Sequence, residues 1–399
     1  MMAVHLHALS STGGCSLDSV AVVPIGYLAS AALLAWCTVC AVAPHRSPSL
    51  AGWLSFAFGF TINELPHVGA YWLIAATALA FSEGDVSGFV GWLAFGLSGL
   101  AMAGLALCAV RSTRAASVID RALDDGLGVG WRNALDPQTS AGLRPTFSLG
   151  LVSFLPLRAR SGEVIREADI AYGDAGPSNT LDVYVHRARP ADGPALVHLH
   201  GGALRTGRKN RDGLALIYRL ASQGWMCVSA NYRLAPTATF SDHLIDAKKV
   251  IAWVRTHGAK YGADPSVLVV AGASSGAQLA SLAALTPNDP LYQPGFESAD
   301  TSVTAAVALY GLHGSRSVPG LDGSDLSSTL PVSHVRPDAP PFFVSHGDLD
   351  TLLRVEGARD FVDALRAVSR RPSCTQRCPE RNTPSIGSGR FVATTLSSE

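Results

Sequence analysis

Two patterns divide this chain. Up to about residue 111 the apolar positions fall in long uncharged runs, over residues 20–43, 50–82 and 88–110. About 20 consecutive apolar residues suffice to cross a bilayer as a helix. The first and third runs each predict one span. The middle run is broken by Asn63-Glu64-Leu65-Pro66. Taken as one helix it is too long, and as two spans too short. It predicts a span over 66–82, preceded by an interfacial or re-entrant helix rich in aromatics (Trp53, Phe56, Phe58, Phe60). Gly99 and Ala103 form a small-xxx-small pair that lets helices approach closely.

From residue 163 the period changes. Residues 165–172 and 180–186 alternate apolar and polar, which predicts an antiparallel pair. Continuous apolar runs follow at 195–200, 226–231, 267–270, 303–310 and 341–346, each expected to be a buried strand. Helical patterns lie between them at 214–222 and 244–261, directly after residue 274, and at 354–368. Strands alternating with helices predict a mostly parallel sheet covered on both faces. The expected organisation is a membrane region (1–111), a polar connector or cap (112–162) with one short helix near 116–122, an α/β domain (163–370) and a tail (371–399) without strand or helix pattern, expected to lack fixed structure.

Composition sharpens this picture. Of 399 residues, 48% are hydrophobic and 16% charged, too apolar for an ordinary soluble domain. The net charge is +0, so nothing points to nucleic acid. Arg46 follows the first run, Glu83 and Asp85 separate the second from the third, and Arg111, Arg114 and Arg121 follow the third. The positive-inside rule then places the C-terminal domain in the cytoplasm of a multi-pass protein. The seven cysteines form no disulfide framework. Cys37 and Cys40 are expected to be small helix-packing residues. No metal-ligand spacing, phosphate loop or dinucleotide fingerprint occurs, so no cofactor is expected.

The candidate chemistry starts at Gly272-Ala273-Ser274-Ser275-Gly276, placed between an apolar strand and an Ala/Leu-rich helix. Strand, sharp turn and helix is the setting in which G-x-S-x-G lifts a serine hydroxyl above a sheet edge. Ser274 is the expected nucleophile. A tetrahedral oxyanion needs N–H donors aimed at one point, and glycines let backbone come that close. Gly201 and Gly202, after the strand ending in His198-Leu199-His200, and the N–H of Ser275 are the expected donors. Tyr232, Arg233 and Asp246 are expected to tie neighbouring segments together, and Trp225 and Trp253 to be core residues.

Three motifs together, His200-Gly201-Gly202, Asn231-Tyr232-Arg233-Leu234-Ala235-Pro236 and the Ser274 pentapeptide, resemble the hormone-sensitive-lipase-like branch of the α/β-hydrolases, in particular its actinobacterial carboxylesterases. The resemblance covers about 163–368. Ala203 stands where that family often has a third glycine, and Ala273-Ser274-Ser275 replaces its usual Asp-Ser-Ala. The resemblance implies an α/β-hydrolase fold and a triad in the order Ser, acid, His. Its G-x-x-D pattern over Gly347-Asp348-Leu349-Asp350 places the acid at Asp350, with Asp348 as the alternative.

The histidine that the resemblance implies, some 25 to 35 residues after the acid, is missing: no histidine follows His346. His346 ends the strand before the acid and is expected to be structural; His313 and His334 precede the acid. Reading the implied codons one frame over gives VVYAEVPGAQHSFDWF from Pro372 onward, a strand and then the family's histidine loop. The histidine falls across Asn382 and Thr383. The chain as written is therefore expected to follow a frameshift near 369–372. Two functions are open at this stage: a membrane-anchored serine carboxylesterase acting on ester or lipid substrates, and a catalytically silent, membrane-tethered binding module with a hydrolase fold. Acyl-chain preference, substrate-binding residues and oligomeric state are not legible.

Overall fold

The computed structural model describes residues 25–46, 50–135, 161–318, 325–371 and 373–378. They divide into two compact units, residues 1–45 with 51–112, and residues 46–50 with 113–399.

The first unit is helical. It comprises α1 (Ile25–Val42), α2 (Leu50–Glu64), α3 (Pro66–Ser82) and the first part of α4 (Gly88–Leu127). A proline lacks the N–H a continuing helix needs, and at Pro66 the axis turns by 86° between α2 and α3. Among the described residues two helices, α1 and α4, are long and apolar enough to cross a membrane, or three spans if the bent pair is one. The outer surface is apolar, with Trp36, Trp53, Trp72 and Phe89 exposed. Cys37, Ile62, Leu73 and Leu105 pack in its interior, so Cys37 is a packing residue. The expected close approach at Gly99 and Ala103 does not occur, since both face outward. Gly104 instead lies against the Thr38 side chain. Nor does a separate connector helix exist near 116–122. The third apolar run continues without a break to Leu127 as one 40-residue helix, because no Pro or Gly interrupts residues 105–125. Its last turns bury Ile119 and Leu123 against Trp131 and Phe343.

The second unit is built on an eight-stranded sheet. Its elements in chain order are β1 (Val164–Ala171), β2 (Thr180–His186), β3 (Gly193–Leu199), α5 (Leu214–Ser222), β4 (Met226–Ala230), α6 (Phe240–His257), β5 (Ala263–Ala273), α7 (Ser275–Leu285), β6 (Ala305–Leu309), β7 (Phe342–Gly347), α8 (Val355–Val368) and β8 (Ser373–Cys378). The strand order is β1-β2-β4-β3-β5-β6-β7-β8. β1 and β2 run antiparallel, as does β2 to β4, and every other pair is parallel. This is the α/β-hydrolase architecture that the period change predicts. Central strands carry apolar residues on both faces because helices cover both, and all 11 residues of α7 are buried.

Two of the differences from expectation have local reasons. α6 begins four residues early because the Asp242 carboxylate accepts both the N–H and the hydroxyl of Thr239, each at 2.8 Å, closing a capping box. Residues 373–378, expected to carry no pattern, form β8 and pair with β7 from Phe342↔Ser373 to Gly347↔Cys378. Parallel pairing uses main-chain groups, so the slot beside β7 accepts a polar segment. The rest of the tail, with Asn382 and Thr383, and residues 136–160 of the connector lie outside the described residues.

Candidate active site

The site forms at the C-terminal edge of the parallel strands. Between β5 and α7 the chain reverses at Ser274, whose φ of 53° and ψ of −122° put it in a region that side-chain-bearing residues rarely enter. Its N–H donates to Leu309 O at the end of β6, 2.9 Å away. The flanking glycines are required by contact. A Cβ on Gly272 would strike the Gly276 backbone, and one on Gly276 would strike the carbonyl oxygens of Leu199 and His200. Gly276→Ala is expected to cost about 3 kcal/mol, the upper end for overpacking. Thermal unfolding of that variant checks it, and an unchanged midpoint would show the corner to be loose.

The loop after β3 packs on this corner. A Cβ built on Gly201 would lie 3.0 Å from Ala273 O and 3.2 Å from Ser274 Cβ. Gly202, Ala203 and Leu204 follow with φ of 126°, 54° and 59°, a run of three left-handed residues of which two carry side chains. The Gly201 N–H, one of the expected oxyanion donors, is not free. It donates to Asp212 Oδ2 at 2.9 Å, and a bonded amide cannot be aimed elsewhere. Among the described residues the N–H groups of Gly202 and Ala203 have no acceptor. Ser275 is the first residue of α7, where an N–H has no intrahelical partner. Among the described residues the amides of Gly202, Ala203 and Ser275 therefore remain without an acceptor, and that of Gly201 does not.

Supporting groups lie behind the loop. The Tyr232 ring stacks on His200 at 4.4 Å, and its hydroxyl donates to His200 O at 2.7 Å. Arg233 donates to Asp246 at 2.9 Å and Asp242 at 3.0 Å, which fixes the segment after β4 to α6 as expected. Asp246 is fully buried. A cavity of about 410 Å³ opens nearby, lined among others by Asp169, Ser178, His200, Lys209 and Asn231. Lys209 Nζ holds Asp169 at 2.6 Å and the fully buried Asp182 at 2.5 Å, and Arg166 reaches Asp182 at 2.6 Å. Burial pushes the Asp182 carboxyl up, but hydrogen bonds from Lys209, the Asp169 amide and Arg166 outweigh it and hold the group below its ordinary range. Sequence reasoning missed Asp212 and this ionic group. Their members are dispersed along the chain, and no spacing announces them.

The carboxylates after β7 divide cleanly. Asp348 is paired with Arg359 at 3.1 Å. Asp350 is buried and accepts the N–H groups of Leu352 and Leu353 on Oδ1, both at 2.9 Å. Its Oδ2 lies 3.6 Å from His346 Nε2. Burial outweighs the two amide bonds and pushes Asp350 up to about 7. His346 makes no ion pair with it, since burial holds the imidazole down to about 4 and its Nε2 bonds Leu353 O at 2.7 Å. His346 is thus structural, as expected. His313 is fully buried and stacked on Phe361 at 5.0 Å. His334 bonds Ser328 O at 2.8 Å on the surface.

The comparisons with known proteins come to the same place. The family described as BD-FAE matches residues 181–320, which include the Gly201 loop and the Ser274 corner. A Mycobacterium tuberculosis protein named "Probable carboxylic ester hydrolase LipM" is 36% identical over 410 residues, 94% of this chain and 92% of that one. The esterase LipC of the same organism is 38% identical over 233 residues, 53% of this chain and 58% of its own. A truncated carbohydrate esterase from gut microbiota shares the fold, with a TM-score of 0.50 at 19% identity over 56% of this chain and 90% of its own. With a relative this similar along nearly its whole length, and with that sheet and that corner, the chain belongs to the hormone-sensitive-lipase-like carboxylic ester hydrolases of the α/β-hydrolase superfamily.

Proposed function

We propose that Ser274 is the nucleophile, that the amides of Gly202, Ala203 and Ser275 receive the oxyanion, and that Asp350 is the acid of the triad. The observation that carries this is the strained corner at Ser274 with the amide-bearing loop packed on its Cβ. In the reaction, Ser274 Oγ attacks an ester carbonyl while a base takes its proton. The carbonyl oxygen gains charge and is met by the three amides. The alcohol leaves, and water then releases the acyl group. Asp350 suits the role of the acid because Oδ1 is fixed by two amides while Oδ2 is left to orient an imidazole. β5 and β7 are two strand spacings apart, about 10 Å, which leaves room for a histidine between Ser274 and Asp350. That histidine is the one encoded one frame over after β8. In the chain as written the base is missing, and the corner retains what the amides alone contribute.

The substrate we infer is an ester presented at a bilayer, with α1, α4 and the bent α2–α3 pair holding the hydrolase there. Arg46, Arg111, Arg114 and Arg121 favour the cytoplasmic side. The similarity to ester hydrolases over 94% of the chain favours catalysis over a silent binding role. The test is labelling of the full chain in detergent by a fluorophosphonate, with and without added imidazole. Labelling is expected to be slow alone, faster with imidazole and absent in Ser274→Ala. Equal labelling of wild type and Ser274→Ala would overturn the assignment.

A further inference from the structure

Ala203 and Leu204 carry side chains in a left-handed conformation that glycine alone adopts freely, directly after Gly202. Such a stretch stays in place only where its ends are held. Both ends are. At the start, the Gly201 N–H donates to Asp212 Oδ2 at 2.9 Å. At the far end, the Leu204 N–H donates to Ser275 Oγ at 3.3 Å, and Leu204 O accepts the Ala235 N–H at 2.8 Å.

Both side chains stand on rigid supports. Asp212 directly precedes Gly213, which caps α5 with a φ of 68° and packs on the fully buried His198 ring so closely that it has no room for a Cβ. Ser275 is 6% exposed, opens α7 and sits beside the Tyr232 hydroxyl. His198 and His200 lie close to Asp212, and burial pushes both below the ordinary imidazole range, so at neutral pH these two rings are uncharged. Ser275 is also the position where this chain carries a hydroxyl in place of the alanine of the motif it resembles.

We propose that Asp212 and the Ser275 hydroxyl are positioning residues that clamp the two ends of the 201–204 loop, so that the amides of Gly202 and Ala203 point at the developing oxyanion. Neither side chain touches the reacting atoms. Each acts through a main-chain amide of the loop, and Ser275 thus serves twice, by its own N–H and by its side chain. The proposal rests on the assignment of those amides as oxyanion donors.

An interaction felt mainly in the transition state lowers kcat when it is lost and leaves KM nearly unchanged. The full chain in detergent, with imidazole as external base, is assayed on p-nitrophenyl butyrate, and deuterium exchange is followed at residues 201–204. Asp212→Ala is expected to lower kcat about ten- to a hundredfold, within the effect of losing one oxyanion donor, with KM within about twofold. Ser275→Ala is expected to lower kcat severalfold. Asp212→Asn, whose amide oxygen accepts the same N–H, recovers most of the rate. Exchange at 201–204 rises in both alanine variants and stays near wild type in Asp212→Asn. Unchanged kcat and unchanged exchange in the alanine variants overturn the proposal, as does Asp212→Asn losing as much as Asp212→Ala. If Asp212→Ala does not fold, Ser275→Ala and Asp212→Asn decide it. Absence of wild-type turnover even with imidazole counts against the nucleophile assignment instead, and the exchange measurement still decides whether the clamp exists.

Discussion

Replacing the chain from Pro372 onward by VVYAEVPGAQHSFDWF raises kcat on p-nitrophenyl esters by several orders of magnitude. The ceiling is set by the loss of the histidine in a comparable serine hydrolase, about 10⁶. The geometry supplies the reason. The new VVYAEV takes positions 372–377, five of which belong to β8, the strand that pairs with β7 up to Gly347↔Cys378. The sheet therefore keeps its edge strand, now with an apolar sequence suited to it. The chain leaves β8 at the same sheet edge as Asp350, which follows Gly347 by three residues, and as Ser274, whose N–H is tied to the end of β6. A histidine carried on that loop comes within reach of the Asp350 Oδ2. Two controls define the result. Ser274→Ala in the restored chain returns it to the background, and changing only the restored histidine to alanine returns it to the rate of the chain as written. A restored chain that folds and is no faster than the original would falsify the missing-base account.

Much of this is legible in the sequence. The strands at 195–200, 226–231 and 267–270 and the helix at 214–222 follow from apolar runs and periods that have one solution in a doubly covered sheet. The corner at Ser274 was legible because glycine at 272 and 276 answers to backbone contacts that tolerate no Cβ. The carboxylate proposed as the acid was singled out by the motif around Asp350. The amides proposed as oxyanion donors were only half legible. His200-Gly201-Gly202 marks the loop, but which amides are spare depends on Asp212, 11 residues on, and a long-range carboxylate-to-amide bond leaves no periodic trace. β8 was illegible because its pairing draws on main-chain groups while its side chains follow no strand pattern. The run of α4 past residue 111 was illegible for the opposite reason. Charge marks the end of an apolar stretch but not of a helix, and residues 111–125 hold no Pro or Gly to weaken one.

The burial of Asp350 makes a second large effect. Its folded-state value of about 7 stands above the ordinary carboxyl value of 3.8. The folded chain therefore holds a proton that the unfolded chain has released throughout that window, and stability falls as pH rises from about 4 to about 7. At 1.36 kcal/mol per unit the full loss is on the order of 4 kcal/mol above pH 7. Asp350→Asn removes the charge and keeps an oxygen for the amides of Leu352 and Leu353. It is thus expected to stabilise the chain as written, by little near pH 4 and by up to about 4 kcal/mol at pH 8, an increase of roughly 10 °C in the unfolding midpoint for a domain of this size. His313 and His346, held near 3 and 4 by burial, remain neutral in both proteins above pH 5 and largely cancel in the difference. Thermal unfolding of both proteins in detergent between pH 5 and 8 reads the effect, and a gap independent of pH would show that Asp350 is ionised as easily as a surface carboxylate. In the restored chain the sign of the trade changes. A histidine against Oδ2 gives the carboxylate the hydrogen bond it lacks and lowers its pKa, so the same substitution there stabilises far less and costs most of the activity. A carboxylate that destabilises the chain without a histidine and serves catalysis with one is the behaviour expected of a triad acid, and of no purely structural aspartate.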